Sequence, residues 1–300
     1  MACSIRWRRA ERGESAGCAA TKNSRPACDP ALYWTRILCR VRQRALTYAL
    51  SHKHDLGIAR DRGVQVRPVA ESLMRLRRCP LDPRDQGRFA SIDMAEDAIL
   101  IDSSATARGK SELRAMMRTR RQALPAAVRM QAAEAIAGHL QHHPCFAGAG
   151  YVAGYWAMAG EMPLHVLQMR LRADQVWCLP CIQDDNSLRF APWRPGDALV
   201  NNRYGIPEPV LATESQLPPE AMTVILLPLL GFSRAGGRLG MGGGYYDRSL
   251  GFRQRQPSPP ILIGVGYAFQ ELPALQTDAW DVRLDAVVTE SEFLLCAPAG

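Results

Sequence analysis

The chain has 300 residues, 47% of them hydrophobic, and 37 Lys and Arg against 29 Asp and Glu give it a formal charge of +8. That supply of apolar side chains suffices for one large domain or two small ones. No apolar run approaches the roughly 20 residues of a membrane helix and no secretory core opens the chain, so neither membrane spanning nor secretion is expected and the positive charge is left to explain.

The charge is uneven. Residues 1–93 hold 19 of the 37 basic and 9 of the 29 acidic side chains, so this block carries +10 and the remaining 207 residues carry −2. It also holds five of the nine cysteines: Cys3, Cys18, Cys28, Cys39 and Cys79. Cysteines so irregularly spaced suit neither a disulfide scaffold nor a zinc site, and reduced thiols in a cytoplasmic chain are expected. Stretches 33–50 and 69–76 have helical potential, but Arg interrupts their apolar residues at most turns, which predicts a disordered basic extension. It has three competing explanations: a nucleic-acid-binding arm, an organellar transit peptide, or translated upstream sequence behind a misplaced start. An arm should show aromatic interleaving or a reading helix. A transit peptide should be poor in acids, yet Glu11, Glu14, Asp29, Asp55 and Asp61 are scattered here. The misplaced start is preferred, with Met94 as the true start and 94–108 as a linker.

Beyond that point, segment 110–124 sets Leu113, Met116, Met117 and Leu124 near one helix face, with Ser111 able to cap it and Pro125 ending it. A second helix is expected over 125–142, carrying Val128, Ala132, Ala135, Ile136 and Leu140. The period then shortens. Apolar runs at 150–156, 176–181, 188–190, 223–229, 261–267 and 286–289 read as strands, several buried on both faces, with helices at 164–172 and 245–253 between them. Strand and helix in alternation predict an α/β fold, a three-layer α/β/α domain over 109–296 with a mainly parallel central sheet. Cys178 and Cys181 fall within one expected strand, where alternation sends them to opposite faces, so they read as packing rather than a redox pair. His142 and His143 stand at a helix end and read as solvated.

The strongest local signal follows the strand ending at Pro228. A loop holding Gly236, Gly237, Gly240, Gly242, Gly243 and Gly244 leads to a helix at Tyr245. Such a loop can bring backbone N–H groups close to phosphate oxygens, where a helix dipole also favours an anion. Arg238 would add a charge-assisted partner, and Asp247 suits a magnesium ion bridging phosphates. No Gly-Lys-Ser/Thr follows, and Tyr245 occupies the last glycine position of Gly-x-Gly-x-x-Gly, so neither standard nucleotide loop is present. Taken alone, the loop could equally be a flexible surface connection.

Several further motifs occur in one order: Lys110-Ser-Glu-Leu-Arg114, Gly160-Glu161, Trp193-x-Pro195-Gly196, Gly205-Ile-Pro-Glu-Pro209, Arg238-Leu-Gly-Met-Gly-Gly-Gly-Tyr-Tyr-Asp-Arg248 and Trp280-Asp-Val-Arg-Leu-Asp-Ala-Val-Val-Thr289. Across 109–294 the chain resembles the 5-formyltetrahydrofolate cyclo-ligase family, also called 5,10-methenyltetrahydrofolate synthetase. The resemblance implies ATP- and Mg2+-dependent closure of 5-formyltetrahydrofolate to 5,10-methenyltetrahydrofolate with release of ADP and phosphate. No protein nucleophile is needed, and no convincing Ser/His/Asp or Cys/His arrangement is found.

The resemblance implies roles residue by residue. Lys110, Ser111, Glu112, Leu113 and Arg114 would lie at ATP, with Lys110 and Arg114 on one helix face toward its phosphates. Arg238, Leu239, Gly240, Met241, Gly242, Gly243, Gly244, Tyr245 and Tyr246 would form the ATP loop, whose 242–246 part also borders the folate. Asp247 and Asp281 would hold Mg2+. Trp156, Glu161 and Trp193 would contact the folate, the Glu161 carboxylate accepting pterin N–H groups, while Tyr204 is either pocket wall or packing. Ser233 replaces an acid that often follows Gly-Phe in the family, and Met162-Pro163 departs from the usual residues after Gly-Glu. Expected partners are the two small substrates, with no membrane or nucleic acid, and a monomer. The alternative is a degenerate domain that binds nucleotide or RNA through the basic arm.

Overall fold

The structure is a computed structural model of the chain and describes residues 109–296 except 149, 257 and 274. Expectations for 1–93 and for the linker 94–108 lie outside these residues.

Helix α1 (Lys110–Ala123) begins at Gly109 without a side-chain cap. Ser111 therefore lies inside the helix and does not cap it. Its buried stripe is Leu113, Met117 and Arg121, and Leu124 before Pro125 ends it in extended backbone. Helix α2 (Ala126–His142) buries Ala132, Ala133, Ile136, Ala137 and Leu140. His143, beyond its end, is not solvated as expected: its ring stacks on Phe293 at 3.8 Å, and burial pushes its pKa down to about 4.

The central sheet has seven strands. In chain order they are β1 (Gly150–Ala153), β2 (Gln175–Ile182), β3 (Leu188–Pro192), β6 (Met222–Pro228), β9 (Ile261–Val265), β10 (Ala286–Val288) and β11 (Phe293–Leu295), with a short helix α3 (His165–Met169) between β1 and β2. Their spatial order is β11-β10-β9-β6-β1-β2-β3. The five inner strands are parallel, and both edge strands are antiparallel. From β1 the chain moves outward to β2 and β3, then returns on the other side through β6, β9 and β10. The order therefore reverses between β1 and β6, where strand ends splay and leave a crevice in open α/β sheets.

The expected two-sided burial is visible strand by strand. Val224 and Leu226 of β6, Ile261, Ile263 and Val265 of β9, and Ala286 and Val288 of β10 face α2 and α3. Ile225, Leu227, Leu262 and Val287 face the opposite way, under Leu250, Phe252, Val282 and Leu284. Cys178 packs in that second cluster, and Cys181 is buried on the other side of β2. Burial pushes the Cys181 thiol up to about 12, the state of a packing residue.

Two ribbons lie outside the sheet. Strands β4 (Leu199–Asn201) and β5 (Pro207–Pro209) form one hairpin, and β7 (Gly231–Phe232) and β8 (Arg238–Leu239) form the other, directly after β6. Ser233 is part of the second turn, its hydroxyl accepting the Gly237 N–H at 3.1 Å. Helix α4 (Tyr245–Ser249) follows, shorter than the expected 245–253 because the chain tightens into a 3-10 turn over Gly251–Gln254.

Candidate active site

The site forms at the carboxyl ends of β1 and β6, on the two sides of the strand-order reversal. Helix α1 supplies its first cations. Lys110 Nζ donates to Asp278 Oδ2 at 2.6 Å and lies 3.5 Å from Asp281 Oδ2. The hydrogen bond to Asp278 raises the Lys110 pKa against a smaller burial effect, so the amine stays protonated near neutral pH. Asp281 Oδ2 also accepts the Asp278 N–H at 2.8 Å, closing the turn before β10. One helical turn past Lys110, Arg114 Nε donates to the Gly240 carbonyl at 2.9 Å and so docks α1 onto the glycine-rich loop.

Arg238 opens that loop. Its guanidinium pairs with Asp247 Oδ1 at 2.9 Å and lies 5.6 Å from the Tyr246 ring centre. Asp247 Oδ1 also accepts the Val282 N–H at 3.3 Å, which brings it beside the neighbour of Asp281. Gly242 and Gly244 have φ values of 98° and 67°, a left-handed conformation that a Cβ would strain. Among the described residues, no hydrogen bond takes up the N–H of Met241, Gly242, Gly243 or Gly244. Because α4 has only five residues its dipole is weak, and these free N–H groups are the main anion-directed feature of the loop. Lys110, Arg114 and Arg238 flank them, an arrangement able to receive several anionic oxygens.

Asp247 and Asp281 offer oxygen donors only. Among the described residues no group of three or more His, Cys, Asp and Glu side chains could hold a metal by itself. Two carboxylates beside an anion cradle fit a hard cation that keeps water ligands and shares phosphate oxygens, as magnesium does, and do not fit tetrahedral zinc.

The other half of the site hangs from the end of β1. Trp156 and Trp193 meet edge to face at 5.9 Å, and Trp193 Nε1 donates to the Asp197 carbonyl at 3.2 Å. The Tyr155 hydroxyl donates to the Met162 carbonyl at 2.9 Å, and the Tyr267 hydroxyl to the Gly160 carbonyl at 3.3 Å. Glu161 Oε2 accepts the Met158 N–H at 3.1 Å. Gly160 has φ of 79°, and a Cβ there would stand 2.9 Å from the Arg121 carbonyl oxygen, so this turn presses on α1 at a place only glycine fits. Burial raises the Glu161 pKa, opposed by the Met158 N–H and by Arg121. Burial also raises the Tyr246 phenol, with the Glu161 charge as a second cause. Tyr245 turns toward the β4-β5 hairpin, where its hydroxyl meets that of Tyr204 and accepts from Arg203 Nη2 at 3.1 Å.

Residues 106–290 match the model of the 5-formyltetrahydrofolate cyclo-ligase family. The chain belongs to that family. The 5-formyltetrahydrofolate cyclo-ligase of Escherichia coli K12 is 34% identical over 180 residues, which is 59% of this chain and 98% of that protein. That of Haemophilus influenzae is 30% identical over 179 residues, 58% of this chain and 94% of its own length. The solution structure of Aquifex aeolicus 5,10-methenyltetrahydrofolate synthetase is 31% identical, covers 64% of this chain and 94% of that one, and superposes with a TM-score of 0.55. A member of the cyclo-ligase family is a ligase of folate one-carbon metabolism, and the family converts 5-formyltetrahydrofolate to methenyltetrahydrofolate. Nothing in these relatives supports the alternative of an RNA-binding module.

Within this cyclo-ligase domain the contacts join Lys110, Arg114, Arg238, the 240–244 loop, Asp247 and Asp281 into one connected patch. Leu113 and Leu239 belong to it only through their backbone, since their side chains pack with Met117, Leu230 and Leu272. Ser111 and Glu112 are exposed on the helix. Two residues escaped the sequence reading. Asp278, the nearest partner of Lys110, sits in an irregular segment without periodicity. Arg121 stands in an Arg-rich stretch that reads as solvated, yet it continues the stripe Leu113, Met117 and is 1% exposed. A charge at an apolar-stripe position was the available signal.

Proposed function

We propose that the chain closes 5-formyltetrahydrofolate to 5,10-methenyltetrahydrofolate at the expense of ATP, with Mg2+. The single feature that supports this most strongly is the row of unbonded N–H groups at 241–244, set between Lys110, Arg114 and Arg238 and beside Asp247 and Asp281. A triphosphate needs that combination of donors, cations and metal-holding carboxylates, whereas a folate alone does not.

The formyl oxygen attacks the γ-phosphorus, the bond to the β-phosphate breaks and ADP departs. N10 then attacks the activated carbon and gives up its proton, the carbon–oxygen bond breaks, and phosphate leaves. No residue of the chain becomes covalently attached. The protein contributes alignment of two substrates and neutralisation of charge on the transferring group. Arg114 and the 241–244 N–H groups hold the phosphates, and Lys110 and Arg238 exchange their carboxylate partners for phosphate oxygens. Asp247 and Asp281 would hold Mg2+, which when bound would offset phosphate charge. Glu161 accepts the pterin's N–H groups at a position shielded from water, with Trp156 and Trp193 as the apolar wall. The test is absorbance of the methenyl product in mixtures of purified chain, 5-formyltetrahydrofolate, ATP and Mg2+. Product should need all four components; product formed without ATP, or none at all, contradicts the proposal.

A further inference from the structure

We infer that Arg121 is a positioning residue, whose buried guanidinium fixes the Glu161 carboxylate for the folate. The inference rests on the proposed folate role of Glu161. Arg121 Nε donates to the Ala159 carbonyl at 3.2 Å and Nη1 to the Leu229 carbonyl at 3.3 Å, and Nη1 lies 3.7 Å from Glu161 Oε1. Nη2 is buried and has no hydrogen-bond partner. One side chain thus grips the backbone of the turn that presents Glu161 and sets its cation 3.7 Å from the carboxylate. It also grips the segment leaving β6 toward the glycine-rich loop. Gln270 Nε2 shares the Leu229 carbonyl at 3.0 Å and supports the same junction.

Stability alone accounts poorly for this group. Removing a guanidinium from water is costly unless its charge and donors are met. Here the carboxylate is just beyond hydrogen-bond distance and one nitrogen is unmet, and burial depresses the Arg121 pKa. Leu or Met would fill the stripe position behind Leu113 and Met117 without that cost. What Arg121 adds is a cation beside Glu161. The groups facing Glu161 are Arg121, Tyr155, Tyr246 and Tyr267, with Arg118 behind Arg121. Arg121 alone among these lowers the Glu161 pKa.

The experiment is steady-state kinetics on the full chain for wild type, Arg121→Lys, Glu161→Gln and the double variant, with thermal unfolding as the check on folding. Arg121→Lys should raise KM for 5-formyltetrahydrofolate about tenfold and leave kcat and KM for ATP within about twofold. In the Glu161→Gln background the same change should add no more than about twofold. Ionised, Glu161 accepts N–H groups on both oxygens with a full charge, and protonation turns one of them into a donor, so folate KM rises as pH falls through its pKa. Removing the cation in Arg121→Met should move that rise to higher pH. Equal effects on both KM values, or full additivity with Glu161→Gln, would overturn the inference. If Arg121→Lys does not fold, Arg121→Met/Glu161→Gln removes both charges together. It should match Glu161→Gln in folate KM, and a clear further loss overturns the inference. A Glu161→Gln enzyme with wild-type folate KM overturns the folate role of Glu161 and the inference with it, while methenyl formation itself would stand.

Discussion

Lys110, Arg238 and Arg121 each face carboxylates, Asp278 and Asp281 for the first, Asp247 and Glu161 for the others. Two of the proposed anion-binding cations, Lys110 and Arg238, therefore already face the carboxylates proposed to hold Mg2+, Asp281 and Asp247, and substrate binding exchanges partners there instead of filling a bare positive cleft. Asp247→Asn keeps an acceptor for Arg238 and for the Val282 N–H but loses the charge. Its turnover should drop at least about 100-fold, while the melting temperature moves by about 4 °C or less. Initial rates beside a thermal scan check this, and unchanged turnover removes the assigned role. A second prediction concerns His143, whose pKa burial pushes down to about 4 from an ordinary 6.5. Between those values the unfolded chain binds the proton that the folded chain refuses, so stability falls as pH drops from 6.5 toward 4. A His143→Leu chain, compared by melting temperature across that window, should lose part of the pH dependence.

The elements show which features a sequence can reveal. Long periodic segments were legible: α1, α2 and the inner strands stand where apolar spacing set them, because their burial on one stripe or both faces dictates composition. The ribbons β4-β5 and β7-β8 and the edge strand β11 were missed, since strands of two or three residues hold no period. Ser111 failed as a cap because the helix starts two residues earlier than a cap there would require, at Lys110 with Gly109 in the cap position. Within the site, the glycine loop and its flanking Arg238 and Asp247 were legible as a run. Asp278 and Arg121 were not, because their importance comes from partners far away in sequence. Arg253 and Asp285 show the same limit in a structural pair: Arg253 Nη2 donates to Asp285 Oδ2 at 2.7 Å, and that oxygen also accepts the Leu262 N–H at 2.8 Å. Both side chains are nearly buried, so Asp285→Ala leaves an uncompensated cation between α4 and the sheet. The expected loss is about 3–5 kcal/mol by denaturant titration, and a loss under about 1 kcal/mol would show that solvent reaches the pair.

Across the whole molecule, the +8 that suggested nucleic acid divides into +10 on residues 1–93 and −2 on the rest. The family match starts at residue 106, so the +10 lies outside the matched domain, and the proposed substrate site relies on a few local cations. We place the folding unit at 109–296, and a chain beginning at Met94 should keep kcat and both KM values within about twofold of full length; a larger loss would give the basic segment a part in catalysis. The most direct test of the account follows the formyl oxygen. With 5-formyltetrahydrofolate carrying 18O in the formyl group, ATP-driven closure on this chain should transfer that oxygen to the released phosphate, one label for each methenyl product. Phosphate without the label, formed alongside methenyl product, would contradict phosphorylation of the formyl oxygen.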